Sequence, residues 1–334
     1  MILDHAVAGR AAAQVRKGPL PVLVLDEPTV EALLDPAALL DALALGFTAL
    51  SSGKVQVPAR PQLTVPGAGF LLSMPAWREG SPLAVKQVAV FEGNLARGLP
   101  NHLALIALFD PSTGAPLCIM DGTAVTAIRT AAAAVLSVRL LARPDARVVT
   151  LVGAGVQARE HLRLLPLVRD FANIRIASLV PEDAERLAAM QPGAVAVTEL
   201  RKAVAESDVV CLCTHSYAPV IEPAWVRAGT HVTSVGYAPP SGEMPLELLR
   251  RGSLFVETRE AFAPTPIGCP ELAGLDPERA SELGEVLAGL RPGRRSAQEI
   301  TLYKAMGTAM EDLVAAELAW RAALDRGLGR QVTL

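Results

Sequence analysis

The chain has 334 residues, of which 51% are hydrophobic, and its formal net charge is -3 at pH 7. Single hydrophobic cores stop growing at about 250 to 300 residues, so we expect two domains. Acidic and basic residues are interspersed, which argues against nucleic acid or an anionic membrane surface as a partner. A small-molecule ligand is favoured.

The N-terminal third predicts an α+β domain. Its first residues interrupt the apolar run with Asp4, His5 and Arg10, and no apolar run reaches the roughly 18 residues of a membrane span. We therefore expect no signal peptide, no membrane segment and a cytoplasmic protein. A helix is predicted over 35–53, followed by strands over 83–91 and 103–110.

The remainder predicts a different architecture. A helix rich in Ala, Leu and Val follows the candidate caps Asp121 and Thr123 and ends before Pro144. Apolar strands then alternate with helices, which is typical of βαβ units in a doubly wound parallel sheet of the Rossmann type. Strands are predicted over 148–152, 174–179, 209–214, 231–237 and 254–257, and helices over 156–169, 181–190 and 245–251. A terminal helix ends at Gly327.

The cysteines and histidines give no metal signature. Cys118, Cys211, Cys213 and Cys269 lack Cys-x-x-Cys spacing, and Cys211 and Cys213 would lie on one face of a strand. We interpret all four as buried structural thiols. The five histidines form no His-x-x-x-His or His-Glu-x-x-His pair, so no metal site is predicted.

The segment TLVGAGVQAREH, 150–161, contains a candidate phosphate cradle. Gly153, Gly155 and Ala158 follow a predicted strand and open a predicted helix, which is the context of a dinucleotide fingerprint. The first glycine permits the turn, the second lets the backbone approach a pyrophosphate, and the third small residue lets helix and strand pack closely. The alternative is a glycine turn without a ligand.

The next predicted strand leaves the choice between NAD and NADP open. An Asp or Glu at its end normally binds the ribose of NAD, and a basic residue favours NADP. This chain has Ser178, Leu179 and Val180 there. Glu182 and Asp183 come later and are explained equally well as acids of a first helical turn.

Three cationic residues lie among apolar residues or between prolines that stiffen the backbone. Lys86 shares a strand face with Val88 and Val90, so it either lies at a sheet edge or meets an anion in a pocket. Arg129 has small neighbours in a helix and could instead form an ion pair between domains, and Arg60 between prolines could be a solvated loop residue. Together the three could clamp a carboxylate.

Ordered stretches across the chain, from about Val22 to Gly329, resemble the ornithine cyclodeaminase and mu-crystallin family. They are VPAR (57–60), MPA (74–76), AVKQVAVFEGN (84–94), ALFDPSTGAPLCIMDGTAVTAIRTAA (107–132), VGAGVQA (152–158) and EITLYKAMGTAMEDL (299–313). A series of ordered matches is far more specific than a glycine motif alone.

The resemblance implies a homodimer with a discontinuous substrate-binding and dimerisation domain, 1–122 with 306–334, and an NAD(P)-binding Rossmann domain, 123–305. It implies that Arg60, Lys86 and Arg129 hold the substrate carboxylate, with Lys86 also a candidate catalytic residue. It places the NAD or NADP contacts at Thr130, Gly153, Gly155, Val156, Gln157, Ala158, Thr214 and Gly236.

Two departures from the family bear on the reaction. Related ornithine cyclodeaminases carry a Glu just before the Met-Pro pair, where this chain has Leu72 and Ser73. They also carry an Asp where this chain has Tyr237 and Ala238. Without these acids, cyclodeamination lacks its obvious general base, which typically contributes about 10² to 10⁴-fold.

The sequence therefore predicts an NAD(P)-dependent oxidoreductase that reduces the C=N bond of a small 2-imino acid, cyclic by preference, to the amino acid. One alternative is an ornithine cyclodeaminase that forms proline and ammonia while its NAD is recycled. The other is a non-catalytic protein of the mu-crystallin type that binds NADPH and a small ligand.

Overall fold

The computed structural model describes residues 18, 20–265 and 267–334 and contains two β-sheets joined by helices. The expected absence of a signal peptide concerns a segment that lies largely outside these residues. The strands are β1 Pro21–Leu25, β2 Val55–Gln56, β3 Gln62–Val65, β4 Gly69–Arg78, β5 Leu83–Val90, β6 His102–Phe109, β7 Pro116–Asp121, β8 Val148–Val152, β9 Asn173–Ala177, β10 Ala194–Ala196, β11 Val209–Leu212, β12 His231–Ser234, β13 Ser253–Val256, β14 Ala280–Glu282, β15 Thr301–Lys304 and β16 Arg330–Thr333. The helices are α1 Glu27–Leu33, α2 Pro36–Ser51, α3 Gly122–Leu141, α4 Val156–Leu164, α5 Pro181–Ala188, α6 Leu200–Ala205, α7 Leu246–Arg251, α8 Leu283–Leu287 and α9 Ala309–Arg326.

The first sheet unites both ends of the described chain. Its strand order is β16-β1-β7-β6-β5-β4-β2, and β3 pairs with β4. Strand β1 runs parallel to β7 and antiparallel to β16, while the other pairs of this sheet are antiparallel. The C-terminal strand thus joins the N-terminal one, and α9, which precedes it, packs against β4, β5 and β6.

Strand β5 shows why one face of this sheet is buried. Ala84, Lys86 and Val88 are buried on the face covered by helices, while Gln87 and Ala89 on the other face are partly exposed. Successive strand residues point to opposite faces, so the expected alternation is confirmed. Because β5 lies between β4 and β6, Lys86 does not sit at a sheet edge.

The second sheet is entirely parallel, with the order β10-β9-β8-β11-β12-β15-β13-β14. The chain moves outward from β8 in one direction through β9 and β10, then returns to the other side at β11. The switch point therefore lies between the carboxyl ends of β8 and β11, where doubly wound sheets bind ligands. The predicted fold class, a Rossmann-type sheet beside an α+β unit, is confirmed.

Several element ends differ from the prediction. The helix predicted to Arg169 ends at Leu164, because Pro166 lies in a short 3-10 turn over Leu165–Leu167. The strands predicted to end at 179, 214 and 237 end two or three residues earlier, at Ala177, Leu212 and Ser234. Their last predicted residues instead form the loops at the carboxyl edge of the sheet.

Helix α3 connects the two sheets. The side chain of Asp121 accepts a hydrogen bond from the N–H of Ala124 at 2.7 Å, so the first of the two predicted caps is the one used. The helix is long and apolar enough to cross a membrane, yet 72% of that stretch is buried inside the protein. Its four consecutive alanines are fully buried and let neighbouring elements approach closely. All four cysteines are buried as free thiols, as predicted.

Candidate active site

The turn after β8 requires glycine. Gly153 has a φ of +113°, and a Cβ atom there would lie 2.5 Å from the carbonyl oxygen of Cys213. Its N–H donates to the carbonyl oxygen of Ala177 at 2.8 Å. Gly153 therefore brings together the carboxyl ends of β8, β9 and β11.

The start of α4 is open toward the ligand side. Gly155 is the N-terminal cap and offers no side chain to the first turn, and no atom lies within 4 Å of the position its Cβ would take. Val156 is 53% exposed, whereas Ala158 is fully buried behind it. Free N–H groups and the helix dipole favour an anion in this space, so the turn fits the phosphates of a dinucleotide.

Helix α3 flanks the same turn. The side-chain amide of Gln157 donates to the carbonyl oxygen of Ala127 at 3.3 Å. Thr130 lies three residues after Ala127 and is therefore on the same side of α3. Thr130 and Gln157 are both partly buried, so the structure brings these two predicted cofactor contacts to the glycine turn.

Thr214 and Gly236 are bound to a buried acid whose role the sequence did not reveal. Glu243, fully buried, accepts hydrogen bonds from the N–H and hydroxyl of Thr214 at 2.8 and 2.6 Å and from the N–H of Gly236 at 2.7 Å. These donors are thus engaged within the protein. Glu243 joins the loops that follow β11 and β12 and shapes the edge at which a dinucleotide would lie.

The buried Lys304 also binds the loop that follows β12 at the carboxyl edge of the parallel sheet. Lys304 forms an ion pair with Glu271 at 2.6 Å and donates to the hydroxyl of Ser234 at 3.0 Å. It also donates to the carbonyl oxygen of Gly236. Because both Lys304 and Glu271 are buried, these contacts hold the first residues of the loop after β12 in the packed interior.

Lys86 is buried inside the protein and meets an anion there, which agrees with the second of the two alternatives for this residue. It is 1% exposed, and its Nζ lies 2.9 Å from both carboxylate oxygens of Asp312 on α9. Nζ also donates to the hydroxyl of Thr126 on α3 at 3.3 Å. The anion comes from the protein itself.

Arg129 shares this carboxylate. Its Nε lies 3.0 Å from Asp312 Oδ1, and its Nη1 lies 2.9 Å from Glu311. Arg129 is 4% exposed and both acids are almost fully buried. The ion pair considered for Arg129 is therefore present, and we call Lys86, Arg129, Glu311 and Asp312 the charged cluster.

Of the three predicted clamp residues, Arg60 lines a small cavity, and Lys86 and Arg129 each lie next to a residue that lines it. Arg60, Met74, Gly307 and Thr308 are among the residues that line it. Met74 is the cross-strand neighbour of Lys86, and a Cβ on Gly307 would lie 2.6 Å from Nη1 of Arg129. Arg60 donates to the carbonyl oxygen of Ile267 at 3.1 Å and is only partly buried. It is thus part of the cavity wall rather than a freely solvated residue.

Burial shifts the titration of the charged cluster. It lowers the pKa of Lys86 to about 8, although the negative charge of Asp312 opposes the shift. Burial raises the pKa of Glu311 to about 8, against the attraction of Arg129. Burial would also raise the pKa of Asp312, but Arg129 and Lys86 hold it below its ordinary value. At pH 7 Asp312 is therefore the ionised acid of the two.

His102 is a neighbour of the charged cluster that the sequence analysis did not identify. It lies on β6, two residues before Ala104 on the covered face of the sheet. Burial lowers its pKa to about 4, and the charges of Lys86 and Arg129 add to that effect. His102 is consequently neutral near pH 7. A histidine beginning a strand gave no sequence signal of this proximity.

The departures from the cyclodeaminase pattern fall beside the cavity. Leu72 lies two residues before Met74 on β4 and hence on the same face. Tyr237 follows β12, where burial raises its pKa and the nearby charge of Arg60 opposes the rise. Among residues 18, 20–265 and 267–334, no group of three or more His, Cys, Asp or Glu could hold a metal ion.

A doubly wound parallel sheet with a glycine turn at its switch point and a small cavity lined by Arg60 at the same edge defines an NAD(P)-dependent enzyme of the Rossmann type. More specifically, the chain belongs to the ornithine cyclodeaminase/mu-crystallin family, whose sequence profile matches residues 22–326. The resemblance noted in the sequence is confirmed.

Individual relatives of known sequence or structure are similar to this chain over most of their length. The chain is 36% identical to ketimine reductase mu-crystallin of Mus musculus over 285 residues, covering 84% of this chain and 90% of the relative. It resembles the structure of Thermococcus litoralis Delta(1)-pyrroline-2-carboxylate reductase in complex with NADH and L-proline, with a TM-score of 0.86, 35% identity and coverage of 93% and 100%. An archaeal alanine dehydrogenase dimer with bound NAD has a TM-score of 0.84, 30% identity and coverage of 93% and 99%.

Proposed function

We propose that this protein reduces the C=N bond of a small, cyclic 2-imino acid to the corresponding amino acid, with NADH or NADPH as the reductant. The observation that carries the proposal is the grouping of three cations at one cavity, because Arg60 lines it and Lys86 and Arg129 are neighbours of the lining residues Met74 and Gly307. Residues that follow β13 and β15 line this cavity, so it lies at the carboxyl edge of the parallel sheet, where the glycine turn also lies.

The cations keep free donors despite their internal ion pairs. Lys86 has three N–H groups, and Asp312 and Thr126 occupy two of them. Arg129 has five N–H groups, and its hydrogen bonds to Asp312 and Glu311 leave Nη2 without a partner among the residues that the structure describes. A substrate carboxylate can therefore bind to Arg129 and Arg60 without breaking the charged cluster, and the third N–H of Lys86 can bind the substrate at its imine nitrogen.

Reduction of an imine adds a hydride at carbon and a proton at nitrogen. The nicotinamide, when bound, supplies the hydride. Held by its carboxylate, the imine is oriented at the sheet edge, and this orientation lowers the barrier by itself. We propose that Lys86 holds the transferable proton at Nζ, because its pKa of about 8 suits an acid that works near neutral pH.

Direct assays test the reaction. Purified protein is mixed with NADH or NADPH and with pyrroline-2-carboxylate, piperideine-2-carboxylate or pyruvate plus ammonia. The proposal predicts loss of reduced-cofactor absorbance with a cyclic imine at a kcat/KM above that for pyruvate plus ammonia, and formation of proline or pipecolate. Failure to reduce any of these substrates would contradict it.

The two alternative functions, cyclodeaminase and binding protein, predict different results in these assays. A cyclodeaminase would convert ornithine into proline and ammonia with no net change in cofactor. Leu72 beside the cavity, in place of an acid, supports the reductase instead. A binding protein of the mu-crystallin type would bind NADPH tightly and turn over no imine on a broad panel.

We also propose the implied domain division, 1–122 with 306–334 and 123–305, and a homodimer in the cytoplasm. The pairing of β16 with β1 supports the discontinuous first domain. The uncovered face of the first sheet supports the dimer, because an exposed apolar row crosses four strands through Leu63, Leu71, Ala89 and Leu103.

The dimer is tested by light scattering after gel filtration. A second copy covering this row predicts a dimeric mass for the wild-type chain and a monomeric mass for the variant carrying Leu71→Asp and Leu103→Asp. Leu45→Asp is the control, since Leu45 is 71% exposed on α2, away from this face. Cell fractionation tests the location.

A further inference from the structure

Asp312 is the carboxylate that the two buried cations share. It is 1% exposed and comes from α9, whereas Lys86 comes from β5 and Arg129 from α3. Neither the clamp hypothesis nor the proposed reaction gives this residue a task. Its contacts nevertheless place it one hydrogen bond away from the proposed proton donor.

We propose that Asp312 is a positioning residue, which fixes the ammonium group of Lys86 with one N–H directed to the cavity and keeps that group protonated at neutral pH. The inference deepens the proposed function and rests on it for the role of Lys86. The contacts at Lys86 Nζ and at Arg129 Nε carry the argument.

The geometric part follows from the number of donors. An ammonium group on a flexible stem rotates freely unless its N–H groups are engaged. Asp312 and Thr126 engage two of the three from different helices, which fixes the direction of the third. Met74, the cross-strand neighbour of Lys86, lines the cavity, and the remaining N–H of Lys86 is proposed to point to that side.

The electrostatic part follows from the groups around Lys86. Arg129 from α3 repels a second positive charge, and His102 from β6 is neutral near pH 7. Glu311 from α9 is largely protonated at pH 7 because burial raises its pKa to about 8. Glu257, after β13, accepts the N–H groups of Met306 and Gly307 and makes no hydrogen bond to Lys86. Asp312 is therefore the principal counter-charge of Lys86.

Glu311 provides a matched control. It is adjacent in sequence, equally buried and bound to the same arginine, but it makes no hydrogen bond to Lys86. Glu311→Gln resembles the protonated acid already present below pH 8. Asp312→Asn, in contrast, keeps the shape of the side chain and removes a charge that contacts Lys86.

The test is an NMR titration of ¹³C-labelled lysine side chains in the full chain. The chain has only five lysines, and Lys86→Arg identifies the signal of Lys86. Removal of an opposite charge at contact distance lowers a lysine pKa by about one to three pH units, so we expect a fall of that size in Asp312→Asn. We expect a fall of less than half as much in Glu311→Gln. The high-pH limit of kcat should move down with the Lys86 pKa in Asp312→Asn.

An unchanged Lys86 pKa in folded Asp312→Asn would overturn the inference, as would an equal fall in Glu311→Gln. Should Asp312→Asn fail to fold, the comparison is made between Arg129→Gln and the double variant Arg129→Gln with Asp312→Asn, which restores the balance of buried charge. The Lys86 pKa must then be lower in the double variant. This titration needs no substrate. A failure of the reductase assay and a failure of the Lys86 titration can therefore be told apart.

Discussion

The glycine turn and the charged cluster, which we propose to bind the cofactor and the substrate, are built in opposite ways. The turn consists of consecutive residues between β8 and α4, and its shape depends on one glycine φ and on the neighbouring strand ends. The cluster joins Lys86 to Asp312 across 226 positions and Arg129 to Glu311 across 182. A local sequence motif therefore predicts the glycine turn, whereas the charged cluster forms only when the chain folds.

The two regions also differ in how their polar groups are satisfied. The first turn of α4 has no side-chain cap, so its N–H groups are available as hydrogen-bond donors to an anion. The cations of the cluster are already paired with buried carboxylates. Changes in the turn should therefore affect ligand binding first, and changes in the cluster should affect catalysis or stability.

The largest effect is expected from Lys86→Met. Loss of the proton donor should lower kcat by about 10² to 10⁴-fold, the usual contribution of general acid catalysis. Asp312 keeps its contact with Arg129, so the variant should still fold and bind NADH. Stopped-flow rates and NADH fluorescence titration measure both effects, with the exposed Lys54→Met as control. Wild-type turnover in Lys86→Met would refute this assignment.

Arg129→Leu should destabilise the folded protein in addition to weakening the clamp. It leaves two buried carboxylates with one fewer partner, and removing one partner of a buried ion pair costs about 3 to 5 kcal/mol. Urea unfolding should show a loss of that size. Arg139→Leu on the same helix, whose partner Asp41 is exposed, should change stability by less than about 1 kcal/mol.

Two glycine variants separate the architecture of the turn from its function. Gly153→Ala introduces a Cβ only 2.5 Å from a carbonyl oxygen and should reduce both stability and cofactor affinity. Gly155→Ala meets no protein atom within 4 Å and should weaken NADH binding by about tenfold with only about 1 kcal/mol lost as a helix cap. Calorimetry of binding and urea unfolding distinguish them. Equal losses of stability would contradict this separation.

The smallest effect concerns the choice of cofactor. Leu179 is fully exposed beyond the carboxyl end of β9, where a basic residue would pair with the 2'-phosphate of NADP. Leu179→Arg should raise kcat/KM for NADPH relative to NADH by about tenfold, as a charge-assisted hydrogen bond allows. Ser178→Asp should shift the same ratio toward NADH. Steady-state kinetics with both cofactors would show whether the shifts are opposite.

The prediction from sequence succeeded where the physics is local. Strand β8 and the glycine turn follow from an apolar run and the glycine spacing after it, and Asp121 caps α3 as predicted. The strand ends were predicted too late because Leu179, Thr214 and Tyr237 continue apolar runs in the sequence but lie in the loops at the carboxyl edge of the sheet. The roles of Glu243 and Asp312 left no local signal.

The sequence by itself determined the two sheet architectures, the dinucleotide turn and the identity of the three cations. It did so because hydrophobic periodicity, glycine freedom and cations among apolar residues are properties of short segments. Only the tertiary structure decided what those cations contact. Buried charges require partners, and the partners Asp312 and Glu311 come from a helix near the opposite end of the chain, brought there by the pairing of β16 with β1 and the packing of α9 beneath the first sheet.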